Sequence, residues 1–243
     1  MRIASLLLTL TLATAAAAGE VFIPATFRGP GAAGSVWRTE ITVSNISQHT
    51  FLPVQTTITL HQEGGHTQSV SMPLAQMEVI SIPDALHSWF EVEQGGGLVT
   101  VSWDDPNARI TANARVYNTG NAVGEFGQGV PSVRPETLLS DAFLPGLSGV
   151  GGNRTNVIVS NPHSRDIIVW ITLHDTSGRV RGSYAIGVPA RSYKQINDVF
   201  AAFNVAPFPA AMVRVTGFDS TVYAGASVVR NDTGDATYIA PAL

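Results

Sequence analysis

The chain has 243 residues, of which 44% are hydrophobic and 13% are charged, and its formal net charge is −4. This acidic balance argues against nucleic acid as a partner, because nucleic-acid-binding domains carry a basic surface. The absence of cysteine excludes disulfides and thiolate metal sites, so each domain needs a hydrophobic core of its own.

The first residues have the pattern of an export signal. Arg2 supplies a positive charge, the run from Ile3 to Leu12 is mostly apolar, and small residues follow from Ala13 to Ala18. The apolar run is shorter than the ~20 residues that cross a bilayer. We therefore expect residues 1–18 to be a cleaved signal peptide, and the mature protein to be secreted or periplasmic without a membrane span.

A nine-residue pattern at 37–45 returns in altered form at 153–161. In both copies an Arg-Thr pair opens an alternating strand that ends in Ser-Asn. Alternation of this kind is typical of a strand with one buried face, and an Asn at the strand exit suits an Asx-turn. The shared residues therefore indicate a structural motif, whose members are Thr39, Asn45, Arg154, Thr155 and Asn161.

Other predicted elements recur in the same order along the chain. Short strands are predicted at 21–25, 37–45, 56–61, 67–72, 76–82, 98–103, 109–117 and 129–131, and again at 142–146, 153–161, 169–174, 180–186, 192–196, 211–216, 221–229 and 239–241. Pro24 and Pro145 suit edge strands, because proline cannot donate to a ladder. Short helical turns are predicted after Asp84 and Asp198, each placed as an N-cap.

Regularly spaced short strands with polar turns are typical of antiparallel β-sandwiches. The predicted fold is all-β, with two tandem Ig-like β-sandwich domains that each carry one short helical turn. We place repeat 1 at 19–133, a linker at 134–141 and repeat 2 at 142–243. The short linker predicts that the two domains contact each other.

Five motifs together resemble an exported bacterial family of tandem β-sandwich repeats whose function is unsettled. They are Ile23-Pro24-Ala25, the Gly-rich loop from Gly31 to Gly34, the Trp37-Arg38-Thr39 strand ending at Asn45, Arg115-Val116-Tyr117-Asn118, and Gly124-Glu125-Phe126-Gly127-Gln128. The resemblance covers nearly all of the mature chain and implies export and the sandwich fold. It implies no catalytic residue.

Several residues of the type that bind metals occur close together in the sequence. His61 and His66 flank one turn with Glu63 between them, but copy two does not repeat the set, which favours solvated turn residues. Asp232 and Asp235 carry oxygens suited to Ca²⁺ without an EF-hand spacing. We expect no metal, no cofactor and no catalytic residue, and leave open whether Ca²⁺ binds at Asp232 and Asp235.

Trp37 and Arg38 are the predicted ligand-binding residues. Trp37 precedes its strand beside the Gly-rich loop, where an exposed indole can stack on a sugar, although capping of one sandwich end explains it better. The leading interpretation is an exported non-enzymatic binding or structural protein whose partner is an extracellular protein or glycan. The alternatives are a pair of carbohydrate-binding modules, or a glycan- or peptide-processing enzyme with an interdomain site.

Overall fold

The computed structural model describes residues 18–48, 52–120, 122 and 124–242. Residues 1–17 of the predicted signal peptide lie outside this part of the chain. The described residues form an all-β structure with two short α-helices, which confirms the predicted fold class. Within these residues, neither helix is long and apolar enough to cross a membrane.

The first strand set pairs into two antiparallel layers. Its strands are β1 (Gly19–Pro30), β2 (Val36–Asn45), β3 (Val54–Gln62), β4 (Thr67–Leu74), β5 (Val79–Ile82), β6 (Gly95–Trp103), β7 (Ile110–Asn118) and β8 (Phe126–Pro131). Sheet A1 has the order β4-β3-β6-β1, and sheet B1 has the order β5-β2-β7-β8. The last residues of β1, Gly29 and Pro30, cross to pair with β2 and so join the two layers.

The second strand set repeats this pairing order. Its strands are β9 (Asp141–Leu147), β10 (Asn153–Asn161), β11 (Ile167–His174), β12 (Val180–Val188), β13 (Ser192–Ile196), β14 (Ala211–Gly217), β15 (Tyr223–Arg230) and β16 (Ala236–Ile239). Sheet A2 has the order β12-β11-β14-β9, and sheet B2 has the order β13-β10-β15-β16. The domain boundaries placed at 133 and 142 stay a prediction.

Each strand set encloses a hydrophobic core between its two sheets. Ile58 from sheet A1 and Ile41 from sheet B1 are fully buried in the first core. Ile171 from sheet A2 and Val157 from sheet B2 are fully buried in the second. These cores form because alternate residues of each strand point to the same side, so that one face of every sheet is apolar.

Both predicted edge strands lie at the edge of their layer, β1 in sheet A1 and β9 in sheet A2, although the last two residues of β1 cross to β2. β1 pairs with β6 on one side and, at its end, with β2. Its register shifts between Ile23 and Thr26, and Pro24 lies within that irregular stretch. The bulge explains how a proline is tolerated in a paired strand, because the ladder is already interrupted there.

The two helical turns follow the predicted aspartates, but the predicted side-chain caps are wrong. Helix α1 (Ala85–Phe90) follows Asp84 and helix α2 (Val199–Ala202) follows Asp198, and neither aspartate side chain bonds a helix N–H. The Asp84 carboxylate instead accepts an ion pair from Arg28, at 3.1 Å, and a second from Arg38. Two full charges outcompete neutral backbone donors for a carboxylate.

The two strand sets contact each other directly, through two further buried clusters. Phe22 packs edge-on against Tyr223 with ring centroids 6.2 Å apart, and Trp37 packs with Val229 and Ala236. The Ser160 hydroxyl donates a buried hydrogen bond of 2.7 Å to the Pro24 carbonyl. Residues of sheet B2 that point away from their own core thus form much of this contact.

Candidate functional site

Trp37 lies between the two strand sets. Its side chain is 9% exposed and contacts a cluster that includes Val229 and Ala236, with Phe27 and Val116 packed against it. The indole is therefore largely covered by protein, while part of it lines an open groove. Its role as a ligand-binding residue stays a prediction.

The Gly-rich loop passes directly over the Trp37 indole. A Cβ atom at Gly31 would lie 2.4 Å from Trp37 Nε1, much closer than two such atoms approach. The Gly31 N–H donates to the Ser35 carbonyl at 2.8 Å, which closes the loop. Glycine at this position is needed because the backbone approaches the ring so closely.

A groove of about 520 Å³ opens beside this loop and has walls from both strand sets. Its apolar lining includes Phe27, Trp37, Val116, Ile158 and Val229. Its polar lining includes Gln128, Arg154, Asn156, Tyr193, Gln195, Asn197, Asp198 and Ser227. Apolar walls with a few polar groups are typical of ligand sites of this size.

Arg38, the second predicted ligand-binding residue, does not line this groove. Its Nε lies 3.0 Å from Asp84 Oδ2, and its Nη1 donates to the Trp37 carbonyl at 2.9 Å. The side chain is only a quarter exposed and its charge is neutralised by Asp84. The two predicted ligand-binding residues are thus neighbours in sequence that the fold directs into different environments.

Arg154 and Asp198 occupy the corresponding positions in the second strand set, but their ion pair is open. Arg154 Nη1 donates to Asn231 Oδ1, and within the described residues Arg154 makes no ion pair. The Asp198 backbone is held in a left-handed conformation, with φ 46°, and its N–H donates to Asn156 Oδ1. Burial lowers the pKa of Arg154, and the charge of Asp198 acts in the opposite direction.

The other motif residues hold backbone in place. The Thr39 hydroxyl donates to the Phe27 carbonyl at 2.7 Å, and the Thr155 hydroxyl donates to the Ser148 carbonyl at 2.7 Å. Asn45 Oδ1 accepts the Ser47 N–H, and Asn161 Oδ1 accepts the His163 N–H, each at 3.0 Å. The threonine bonds tie β2 to β1 and β10 to the loop after β9, and the asparagine bonds close the turns after β2 and β10.

Three of the residues suited to metal binding, His61, Glu63 and Asp232, are engaged with other partners. His61 Nε2 lies 3.0 Å from the Thr100 hydroxyl, and Glu63 pairs with Lys194 at 3.1 Å. Arg230 holds the Asp232 carboxylate through two guanidinium nitrogens. In the part of the chain that the structure describes, no three His, Cys, Asp or Glu side chains lie together as metal ligands.

Three tyrosines at the contact between the strand sets are strongly desolvated. Burial, with a smaller contribution from the charge of Glu63, raises the pKa of Tyr193 to about 12. Burial also raises the pKa of Tyr223 and of Tyr238, whose hydroxyls lie 2.8 Å apart. At neutral pH these three phenols are therefore uncharged.

Trp170, which is not among the predicted site residues, lies 46% exposed on the outer face of sheet A2. It stands between the buried residues Val169 and Ile171, so the two-residue period of the strand placed it on the outside. The signal was present in the sequence. The Gly-rich loop beside Trp37 is the feature that favours Trp37 over Trp170 when the sequence alone is considered.

No family model matches the chain, and no curated protein matches it. One similar solved structure is a lectin from Pleurotus ostreatus in complex with GalNAc. It is 10% identical, and the alignment covers 90% of this chain and 85% of the lectin with a TM-score of 0.16. That likeness is too low to support any inference about fold or function.

Proposed function

We propose that the protein is an exported, non-enzymatic binding protein made of two repeated β-sandwich modules. The repeated pairing order of the strands supports the two-module organisation, and the five motifs support membership of the exported tandem-repeat family. The pattern of residues 1–18 supports export to the periplasm or the cell exterior. Its partner is an extracellular protein or glycan.

The observation that carries this proposal is the groove with side chains from both strand sets. It combines an apolar lining with amide, hydroxyl and charged groups, a composition that holds and orients a ligand. Among the described residues, Asp198 is the one carboxylate in the lining. Glycoside hydrolysis canonically uses two carboxylates across the scissile bond, so the groove fits binding better than that reaction.

Blocking the groove tests the proposal. Fragment 19–243 is screened against immobilised glycans and peptides, together with an Ala32→Phe variant that places a bulky ring in the groove lining. Ala75→Phe is the matched control, because Ala75 is also exposed and belongs to a turn outside the groove. We expect Ala32→Phe alone to abolish retention. Equal retention by all three proteins contradicts binding in the groove.

A second candidate function, carbohydrate binding on sheet A2, is favoured by the surroundings of Trp170. Trp170 faces Ala185 on β12 and Thr216 on β14. In the first strand set Thr57 takes the place of Trp170 and Ser71 that of Ala185. These two residues face each other and share a hydrogen bond of 2.8 Å. A cross-strand pair of small polar residues is thus replaced by an exposed indole beside an alanine.

Polar groups suited to sugar hydroxyls lie next to this indole. The Thr216 hydroxyl donates to Asp141 Oδ1 at 3.0 Å, and the same carboxylate pairs with Arg214. Burying an aromatic ring against an apolar sugar face is favourable, while the hydroxyls at the sugar edge need hydrogen-bond partners. Trp170 and its neighbours offer both.

Replacing the indole separates the two candidates. Trp170→Ala is compared with Leu52→Ala, which removes an exposed apolar side chain of the first strand set, on the same glycan array. Loss of glycan retention in Trp170→Ala, with retention by Leu52→Ala and Ala32→Phe, supports the sheet A2 site. Unchanged retention in Trp170→Ala contradicts it.

A further inference from the structure

The groove contains an arginine, Arg154, that forms no ion pair with the carboxylate beside it, Asp198. Arg38 and Asp84 of the first strand set form an ion pair of 3.0 Å, whereas Arg154 and Asp198 at the matching positions both line the groove without pairing. A guanidinium has five N–H donors, and in the described residues one hydrogen bond of Arg154 goes to Asn231. Donors thus remain for a ligand.

The surroundings of Arg154 favour an anionic ligand group. The side chain is partly desolvated, which lowers the pKa of Arg154 and strengthens any charge-assisted bond formed there. A carboxylate presents two acceptor oxygens in the geometry that a guanidinium matches. The negative charge of Asp198 nearby disfavours a second anion and suits a ligand N–H.

The apolar side of the groove indicates what accompanies that carboxylate. Ile158 and Val229 are 4% and 2% exposed, and both line the groove together with Phe27 and Trp37. Sugar hydroxyls pressed against such aliphatic groups would lose hydrogen bonds to water without replacement. An apolar amino-acid side chain gains free energy from the same contact.

We propose that the groove binds the free C-terminal end of a peptide whose last residue is apolar. This inference rests on the proposed binding function and names the ligand of that site. Arg154 holds the terminal carboxylate, and the apolar residues Trp37, Ile158 and Val229 receive the side chain. The amides of Asn156 and Gln195 also lie at the groove. Asn156 Oδ1 and Gln195 Nε2 are engaged with Asp198 and Asn197, so Asn156 Nδ2 and Gln195 Oε1 bond the peptide backbone.

Calorimetric titration with two peptides tests the assignment. The tripeptide Ala-Ala-Leu with a free carboxylate is compared with the same peptide ending in an amide, using fragment 19–243. We expect the amide to bind about tenfold to a hundredfold more weakly, since it lacks the charge-assisted bond to Arg154. Equal affinity of the two peptides overturns the role of the carboxylate.

Variants of the arginine locate the effect. Arg154→Gln is expected to weaken binding of the free acid to the level of the amide, and Arg154→Lys to retain part of the difference. Arg165→Gln is the control, because Arg165 pairs with Asp219 outside the groove and its loss should leave both affinities unchanged. Melting temperatures verify folding of each variant. Unaltered discrimination in Arg154→Gln overturns the proposal.

Two further outcomes separate this inference from the proposed function. If galacturonate binds in a manner that depends on Arg154 while neither peptide binds, the groove takes a carboxylate but the peptide assignment is overturned. If neither probe binds, yet the array shows retention that Ala32→Phe abolishes, the binding function stands and this inference fails. Absence of retention in both experiments contradicts both.

Discussion

The outer faces of sheets B1 and B2 derive from one strand pattern and meet opposite surroundings. On B1 the facing residues include Arg38 and Tyr117, Glu40 and Arg115, and Thr42 and Asn113. On B2 they are Arg154 and Val229, Asn156 and Ser227, Ile158 and Gly225, and Ser160 and Tyr223. One face keeps charges and hydroxyls, while the other has exchanged most of them for apolar or small residues.

The exchange follows from what covers each face. On B2, Tyr223 packs on Phe22 and Ser160 donates to Pro24, so the face is buried against the first strand set. On B1, Glu40 accepts a hydrogen bond from the exposed Ser81 hydroxyl. Burying unpaired charges is costly, so only the covered face required apolar replacements.

The surface of β1 that contacts the other strand set is likewise found only in the first strand set. Phe22 on β1 is fully buried at the contact, in a cluster with Leu98. The corresponding Phe143 on β9 is only partly buried, beneath the Arg214 guanidinium at 5.6 Å. The two strand sets therefore share a fold, and differ in the surfaces by which they meet.

The largest effect is expected from removing the Phe22 ring from the contact between the two strand sets. Phe22→Ala should lower the free energy of unfolding by about 3–5 kcal/mol, because it removes a fully buried ring, whereas Phe143→Ala should cost about 1 kcal/mol. Urea denaturation of both variants measures the difference. Similar losses in both variants would show that Phe22 and Phe143 contribute equally to stability.

Exchanging one rung between the sheets gives the next largest effect. Ile158→Thr should lower the free energy of unfolding by about 2 kcal/mol, because it places a hydroxyl where Ile158 is 4% exposed. The reverse change, Thr42→Ile, falls on the solvated face and should stay within about 0.5 kcal/mol. Urea denaturation of both variants measures the two changes in the free energy of unfolding. Equal changes would refute the expected difference between the two faces.

The closed and open ion pairs give a smaller contrast. Asp84→Asn should cost about 1–2 kcal/mol, because two arginines lose a charged acceptor, while Asp198→Asn should change stability by less than about 0.5 kcal/mol. Arg38→Ala should cost about 1 kcal/mol, since Arg28 still holds Asp84. Melting temperatures decide this, and an unchanged value for Arg38→Ala speaks against its structural role.

The smallest effect is expected from pH. Alkaline pH should weaken the contact between the strand sets, whereas stability near neutral pH should be unaffected. The pKa of Tyr193 is raised by burial to about 12, so the neutral phenol stabilises the fold fully below the ordinary tyrosine pKa of about 10. This contribution is lost as the pH rises from about 10 towards 12, because the unfolded chain ionises first.

Thermal melts across that pH range measure the loss. In Tyr193→Phe the decline should be shallower, because one of the ionising groups is gone. A decline of equal steepness in the variant would assign the alkaline effect to other groups, among which Tyr223 and Tyr238 also have raised pKa values.

The strand alternation predicted much of the fold and part of the site. It placed Thr39 and Ile41 on the inner side of β2 and Arg38 on the outer side, as observed. It did not distinguish Trp170, which is exposed, from Ile158, which is buried, although both point away from their own core. Alternation reports the side of a strand, and not whether another sheet covers that side.

The sequence by itself determined the all-β class, the succession of strands along the chain and the turns at Asn45 and Asn161, because these depend on residues close together in the chain. Only the tertiary structure decided that sheet B2 is covered, that Trp37 is enclosed and that Arg154 is left beside a groove. Those outcomes depend on contacts such as Ser160 with Pro24, which are 136 residues apart. Local periodicity carries no information about such pairs, whose formation requires both sheets to be folded.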